Sequence, residues 1–158
     1  MIKIIACGKV KDAWLREGTA EYEKRMHAFS KLEIIEVSDE KAAEKLSEAQ
    51  KKQVIALEGE RLLKHIKDDD YVILLDLKGK QLQSEDLAKK IETLEVSGKS
   101  TIDFVIGGSL GVSENLQKRS DFKWQISECT FPHLLCRLIV IEQVYRAFTI
   151  RKNTPYHK

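Results

Sequence analysis

The chain has 158 residues, 42% of them apolar and 33% charged, with a formal net charge of +2. That is enough for one compact domain, residues 1–158, whose core needs neither disulfide nor metal, and the balance argues against disorder. Three cysteines (Cys7, Cys129, Cys136) without a C-x-x-C spacing argue against a disulfide framework or a zinc site and point to the reducing cytoplasm. No signal peptide is expected, because the chain enters Ile2-Lys3-Ile4-Ile5 at once, and the apolar run Leu138–Ile141 is far too short to span a bilayer.

Strand and helix patterns alternate along the chain. Ile2–Cys7 reads as a strand and Asp12–Phe29 as a helix; Leu32–Val37 is a second strand, followed by a charged helical stretch from about Ala42 to Ile66. That stretch is most simply a solvated helix packed through Val54, Leu57, Leu62, Leu63 and Ile66, and no function is assigned to it. Tyr71–Asp76 is a third strand with little alternation, the sign of burial on both faces. Ser84 is placed to cap a helix that runs to Val96 and stops at Gly98. Thr101–Ile106 is a fourth strand entering a Gly-Gly loop, Ser113 starts a short helix to Arg119, Phe122–Ser127 is a fifth strand, and Pro132–Ile150 is the last helix. Such alternation predicts an α/β fold with a mostly parallel sheet and helices on both faces.

Charge is unevenly spread. Residues 1–31 carry +3 and residues 118–158 carry +5, whereas residues 32–103 carry −5. Basic ends of this kind meet the electrostatic requirement for phosphate contact, although solvated helix faces give the same count.

Ligands of open α/β sheets bind outside the carboxyl ends of strands. Three such ends compete: Leu75-Asp76-Leu77, Gly107-Gly108-Ser109 and Ile126-Ser127-Glu128-Cys129-Thr130. Neither G-x-G-x-x-G nor G-x-x-x-x-G-K-[ST] is present, which sets aside dinucleotide and P-loop chemistry. Gly-Gly at a strand end suits a tight turn as well as a pocket wall.

The last helix is apolar over most of its circumference. Leu134, Leu138, Ile141, Tyr145 and Phe148 make one stripe, and Leu135, Ile139 and Val140 a second face. A helix of this kind must be covered on most sides, which favours a homodimer over a deeply buried monomer helix. Arg137, Arg146 and Arg151 punctuate it, and Glu142 is spaced i,i+4 to pair with Arg146. His133 either caps the helix start or serves chemistry. Cys129 with His133 lacks an oxyanion loop or a third group, and a buried small hydrophobe is the preferred role for that thiol. The tail Tyr156-His157-Lys158 joins an aromatic, an imidazole and an ammonium, a set that stacks on a base and pairs with phosphate.

Ile106-Gly107-Gly108-Ser109, Thr130-Phe131-Pro132-His133, Ile141-Glu142-Gln143-Val144-Tyr145-Arg146-Ala147 and Tyr156-His157-Lys158 closely resemble the ribosomal RNA large subunit methyltransferase H family, of the SPOUT class. Ala6-Cys7-Gly8-Lys9-Val10-Lys11 and Glu21-Tyr22-Glu23-Lys24-Arg25 fit it too. The resemblance implies a SPOUT-type fold with a C-terminal trefoil knot, a device nearly absent from proteins and invisible to periodicity. It also implies an S-adenosylmethionine-dependent enzyme, without metal, that methylates N3 of a pseudouridine in 23S rRNA of assembled ribosomes and acts as a homodimer. By position, the cofactor pocket would be lined by Leu75, Gly107 and Ile126, Ser127, Glu128, Cys129, Thr130 and Phe131.

A sulfonium methyl is already electrophilic, so such an enzyme must chiefly hold N3 in line with it, roughly 3–3.5 Å away, and manage the N3 proton. The expected catalytic set is His133, Arg137, Arg146, Tyr156 and His157, with Tyr156 and His157 holding the flipped nucleotide across the dimer and arginines stabilising the anion or gripping phosphate. The alternative is a non-catalytic ribosome- or RNA-binding module using the same basic ends.

Overall fold

A computed structural model describes residues 1–41 and 44–158. Among the described residues five strands, β1 (Ile2–Cys7), β2 (Leu32–Val37), β3 (Tyr71–Gln81), β4 (Ile102–Ile106) and β5 (Phe122–Gln125), form a parallel sheet in the order β2-β1-β4-β3-β5. Parallel neighbours need crossover connections. Helices α1 (Ala13–Met26), α2 (Glu48–Leu63), α3 (Ser84–Val96) and α4 (Glu114–Arg119) supply them, and α5 (His133–Arg151) follows the last strand.

The two-residue period of a strand divides the core. Ile2, Ile4 and Ala6 join Met26, Ile91, Val140 and Val144 on the side of α1, α3 and α5. Ile5 and Cys7 join Leu62 and Leu116 on the side of α2 and α4. Helices therefore cover both faces, as the near-continuous apolar strands β1 and β4 require.

At the amino-terminal ends of the strands, Lys3 is buried with two carboxylates. Its Nζ lies 2.5 Å from Asp70 Oδ2 and 3.3 Å from Asp103 Oδ1, and donates to the His65 carbonyl at 3.1 Å. Burial pushes the Asp103 carboxyl up to about 7. Burial also works against ionised Asp70, yet the Lys3 ammonium and the Lys67 amide hold it below its ordinary value.

The first helix ends at Met26 rather than Phe29, and four further elements depart from the sequence expectation in ways that shape the site or its packing. β3 continues past Asp76: its pairing with β5 reaches Leu75–Trp124, breaks, and resumes at Lys80–Trp124, so residues 76–79 bulge out. Gly79 permits this, because a Cβ there would lie 2.7 Å from the Lys123 carbonyl carbon. The second helix was expected from Ala42; Ala42 and Ala43 lie outside the described residues, and α2 begins at Glu48. There Ser47 Oγ accepts the Gln50 amide at 3.2 Å while Gln50 Oε1 accepts the Ser47 amide at 2.9 Å, a capping box. Of its expected packing stripe Leu62 is buried but Leu57 is exposed, because Glu58 and Gly59 turn inward instead. Gly59 abuts the α4 N-cap so closely that a Cβ would sit 2.1 Å from Ser113 Oγ. Gln83, not Ser84, is the α3 N-cap, and Ser84 donates to Gln143 Oε1 at 2.8 Å, tying α3 to α5. The fifth strand ends at Gln125 rather than Ser127, which leaves residues 126–132 as loop.

Candidate functional site

The carboxyl ends of β3, β4 and β5 open into one cavity of about 720 Å³. That volume is typical of a site for a small organic ligand, about 300–1,000 Å³. Of the residues expected there, Leu75, Gly107, Ile126, Ser127, Cys129, Thr130 and Phe131 line it; Glu128, on the exposed side of the same loop, is not among the lining residues. The α5 residues His133 and Cys136 also reach the cavity, as do Leu77 and Lys78 of the β3 bulge and Lys123 of β5. Leu77 belongs to the strand end Leu75-Asp76-Leu77 nominated from the sequence; Lys78 and Lys123 were missed, although Gly79 inside the strand run is the signal that could have marked the bulge.

The glycine loop is tight for internal reasons. A Cβ on Gly107 would fall 2.6 Å from Val112 Cγ1 and 2.9 Å from the Gly111 carbonyl. One on Gly108 would fall 2.3 Å from the buried Glu58 Oε2. Gly111 has φ +112°, and its amide donates to the Gly108 carbonyl at 3.2 Å. Turn and pocket wall are the same structure here, and glycine serves both.

Beneath the cavity, Arg137 is 1% exposed. Its guanidinium pairs with Glu36 and donates to the carbonyls of Cys7 at 3.2 Å and Gly8 at 2.8 Å, so it clamps the end of β1 to α5. His133 opens α5 directly after the N-cap Pro132. Its Nε2 lies 3.2 Å from where a Cβ on Gly8 would stand, and Gly8 has φ +86°. Burial, then the Arg137 charge, lower the imidazole below its ordinary value, which leaves it neutral at pH 7. Burial and the adjacent Glu58 push the Cys7 thiol up to about 12, so it stays protonated. Cys129 is a correction: the thiol expected to be buried is exposed, because residues 126–132 form a loop at the cavity mouth rather than a strand end.

The remaining expected residues gather elsewhere. Arg146 pairs with Glu142 as its spacing predicts, through Nε at 3.0 Å and an Nη at 2.6 Å. Tyr156 lies against the same carboxylate, its hydroxyl donating to Glu142 at 3.0 Å and standing 3.0 Å from the Tyr22 hydroxyl. Its ring packs edge-on against Tyr145 with centroids 4.8 Å apart, and the Arg146 guanidinium sits 4.8 Å from its centroid. His157 approaches Arg146 through Nδ1 at 3.4 Å and Glu85 through Nε2 at 2.9 Å. Burial, then the contacts with Tyr22 and Glu142, raise the Tyr156 phenol, so it remains a hydrogen-bond donor. Of the residues that hold the tail, Tyr22 was named only within the motif Glu21–Arg25 and given no role, and Glu85 was not singled out in the sequence. Arg146 lies thirteen positions after His133 along α5. At 1.5 Å per residue the cavity and the tail cluster are about 20 Å apart along one helix.

A family model described as "Predicted SPOUT methyltransferase" matches residues 1–157. The chain belongs to the SPOUT methyltransferase family. Members of that family generally use S-adenosylmethionine. The chain is 54% identical over 157 residues to the ribosomal RNA large subunit methyltransferase H of Alkaliphilus oremlandii, covering 99% of both proteins. It is 50% identical to the protein of that name from Enterococcus faecalis, again over 99% of both. The Desulfitobacterium hafniense protein is also 50% identical, over 99% of this chain and 98% of its own length. The SPOUT assignment thus covers every element described above, from β1 to the tail.

Proposed function

We propose that this SPOUT methyltransferase, acting in the cytoplasm as a single-domain homodimer, methylates N3 of a pseudouridine in 23S rRNA of assembled ribosomes. The observation that carries the reading is the division of polar machinery between two places about 20 Å apart on α5. Neither is sufficient alone: the cavity offers a small-molecule pocket, the tail offers base- and phosphate-binding groups. Two copies packed with their α5 helices side by side and reversed would bring the cavity of one to the tail of the other. Leu134, Leu135, Leu138 and Ile139, only half-buried in the protomer, provide the apolar contact for that pairing. In this reading the C-terminal segment is threaded as a trefoil knot, which keeps the cavity loops and α5 in one unit.

The cavity fits S-adenosylmethionine. Leu75, Ile126 and Phe131 present apolar surface, Ser127 and Thr130 offer hydroxyls, and glycine at 107 and 108 lets a ligand meet bare backbone. Bound there, S-adenosylmethionine supplies an electrophilic methyl group, so no metal is required. Leu75, Gly107 and residues 126–131 are assigned to hold it. His133, neutral at the cavity edge, is assigned to accept the N3 proton. Tyr156 and His157 of the partner copy hold the flipped nucleotide, Arg146 stabilises the developing anion, and Arg137 acts by fixing the β1 end beneath His133.

The test is direct. Ribosomes lacking the modification are incubated with the protein and labelled S-adenosylmethionine, and the modified nucleotide is mapped. Label at N3 of one 23S pseudouridine is expected. Absence of donor uptake by calorimetry would overturn the enzyme reading in favour of a non-catalytic ribosome-binding module.

A further inference from the structure

Four lysines surround the free edge of the sheet beside the cavity, and three of them come from the segment whose summed charge is negative. Lys78 and Lys80 are exposed on the β3 bulge and its return, and Lys123 is on β5, the edge strand. The backbone contact of Gly79 with Lys123 sets Lys78 and Lys80 on either side of that residue. Lys90 of α3 lies beneath, 4.1 Å from the centre of the Phe122 ring; burial, then the charge of Lys80, lower its ammonium below the ordinary value. Among the described residues none of these four enters an ion pair, as holds for most of the lysines, but here four gather at one sheet edge. The nearest acid of the bulge, Asp76, accepts the Lys78 backbone amide instead.

Lysine on an edge strand commonly blocks unwanted strand pairing. That role does not call for lysines on both sides of the sheet, nor for a bulge that carries one of them to the cavity mouth. Lys80 pairs in register with Trp124 and so shares its face, while Lys123, next to Trp124, points to the other. A ridge of unneutralised ammonium groups, flexible and multi-donor, matches a polyanion of variable path better than a single small anion.

We infer that the β3 bulge and edge strand β5 form a docking ridge for the phosphate backbone of the RNA substrate, along the β5 edge of the sheet beside the cavity. Lys78, Lys80 and Lys123 grip successive phosphates and set the direction from which the target nucleotide enters. The inference rests on the RNA-methylating role proposed above.

The experiment measures salt-dependent binding to unmodified ribosomes, with methyl transfer followed in parallel. The proteins compared are wild type, Lys80→Glu, the triple Lys78→Glu/Lys80→Glu/Lys123→Glu, and a control Lys51→Glu/Lys118→Glu on α2 and α4. Removing one lysine–phosphate pairing should flatten the logarithmic salt slope by about 0.7–0.9. Lys80→Glu is expected to flatten it by about one such step and to raise the ribosome KM several-fold with kcat retained. The triple variant should flatten the slope by about two to three steps, with the control unchanged. Glutamate keeps the sheet edge charged, so edge protection alone predicts no change in slope, and that result overturns the ridge. Weakened binding with an unaltered slope points to a ribosomal protein rather than phosphate, and also overturns it. A triple variant that loses S-adenosylmethionine affinity in proportion overturns it as well, by assigning the lysines to the donor. Wild-type protein whose ribosome binding depends on the lysines but which transfers no methyl sinks the proposed activity and leaves the ridge standing.

Discussion

The cavity at the strand ends and the tail cluster on α5 are built by opposite means. Backbone dominates the first: strand ends, two glycines (Gly107 and Gly108) without room for side chains, and a loop closed on itself. Side chains dominate the second, where Tyr156, Arg146 and His157 are already engaged with Glu142, Tyr22 and Glu85. A backbone-built site is preorganised and changes little when a ligand enters. A side-chain cluster already satisfied within its own protomer must exchange partners to take a nucleotide. The cavity should therefore bind its ligand in the isolated protein, and the tail should act only once substrate is present.

Deleting Tyr156–Lys158 separates the two most sharply. Methyl transfer is expected to fall on the order of 10³-fold, as for loss of groups acting only on the transition state, with donor affinity within about twofold by calorimetry. A truncated protein with full activity would remove the tail from the mechanism. Next in size is Arg137→Ala, which leaves the carbonyls of Cys7 and Gly8 without their donor, while Glu36 keeps solvent and the Val10 amide. Leaving the two buried carbonyls unpaired costs about 1–3 kcal/mol each, read as a shifted denaturant midpoint, and the exposed Glu36 adds little. A loss of activity without that shift would instead make Arg137 a participant in the reaction. Gly107→Ala should be milder and confined to the cavity. Its Cβ would press on Val112 and the Gly111 carbonyl, and overpacking of this kind costs about 1–3 kcal/mol. Donor affinity should fall by about tenfold or more, while spectroscopic signals of the tail tyrosines stay unchanged.

The sequence was legible wherever one local rule decided the outcome. Strands β1 and β2, the Ser113 cap of α4 and the Glu142–Arg146 pair follow from runs, caps and spacing. The cavity's position followed from the rule that ligands bind at strand ends, and Leu75, Gly107 and Ile126 do line it. What was illegible depends on contacts between distant segments. Gly79 against Lys123 creates the β3 bulge, and Gly59 against Ser113 turns Glu58 inward in place of Leu57. Tyr22 and Glu85 hold the tail from elements far away in the chain. Arg137 illustrates the limit: an arginine on an apolar helix reads the same whether it grips phosphate or clamps carbonyls. Only the neighbouring end of β1 tells the two apart.

The smallest effect belongs to the opposite end of the sheet, and it guards the comparison against confusion with stability. Asp103 titrates near 7 in the folded chain, raised by burial, against about 3.9 when unfolded. The folded state thus holds the proton more tightly. The resulting stabilisation is complete below about pH 4 and drains away as pH rises through 7. Between pH 6 and 8 the wild type should lose about 1 kcal/mol from this group, and Asp103→Asn, which cannot ionise, should flatten that decline. Lys3 retains Asp70 as its partner in the variant. Donor affinity and methyl transfer, governed from the other ends of the strands, should keep their wild-type pH profiles. A variant whose stability still declines with pH as the wild type's does would mean that Asp103 is ionised throughout. A changed pH profile of transfer would mean that the sheet carries the charge of one end to the chemistry at the other.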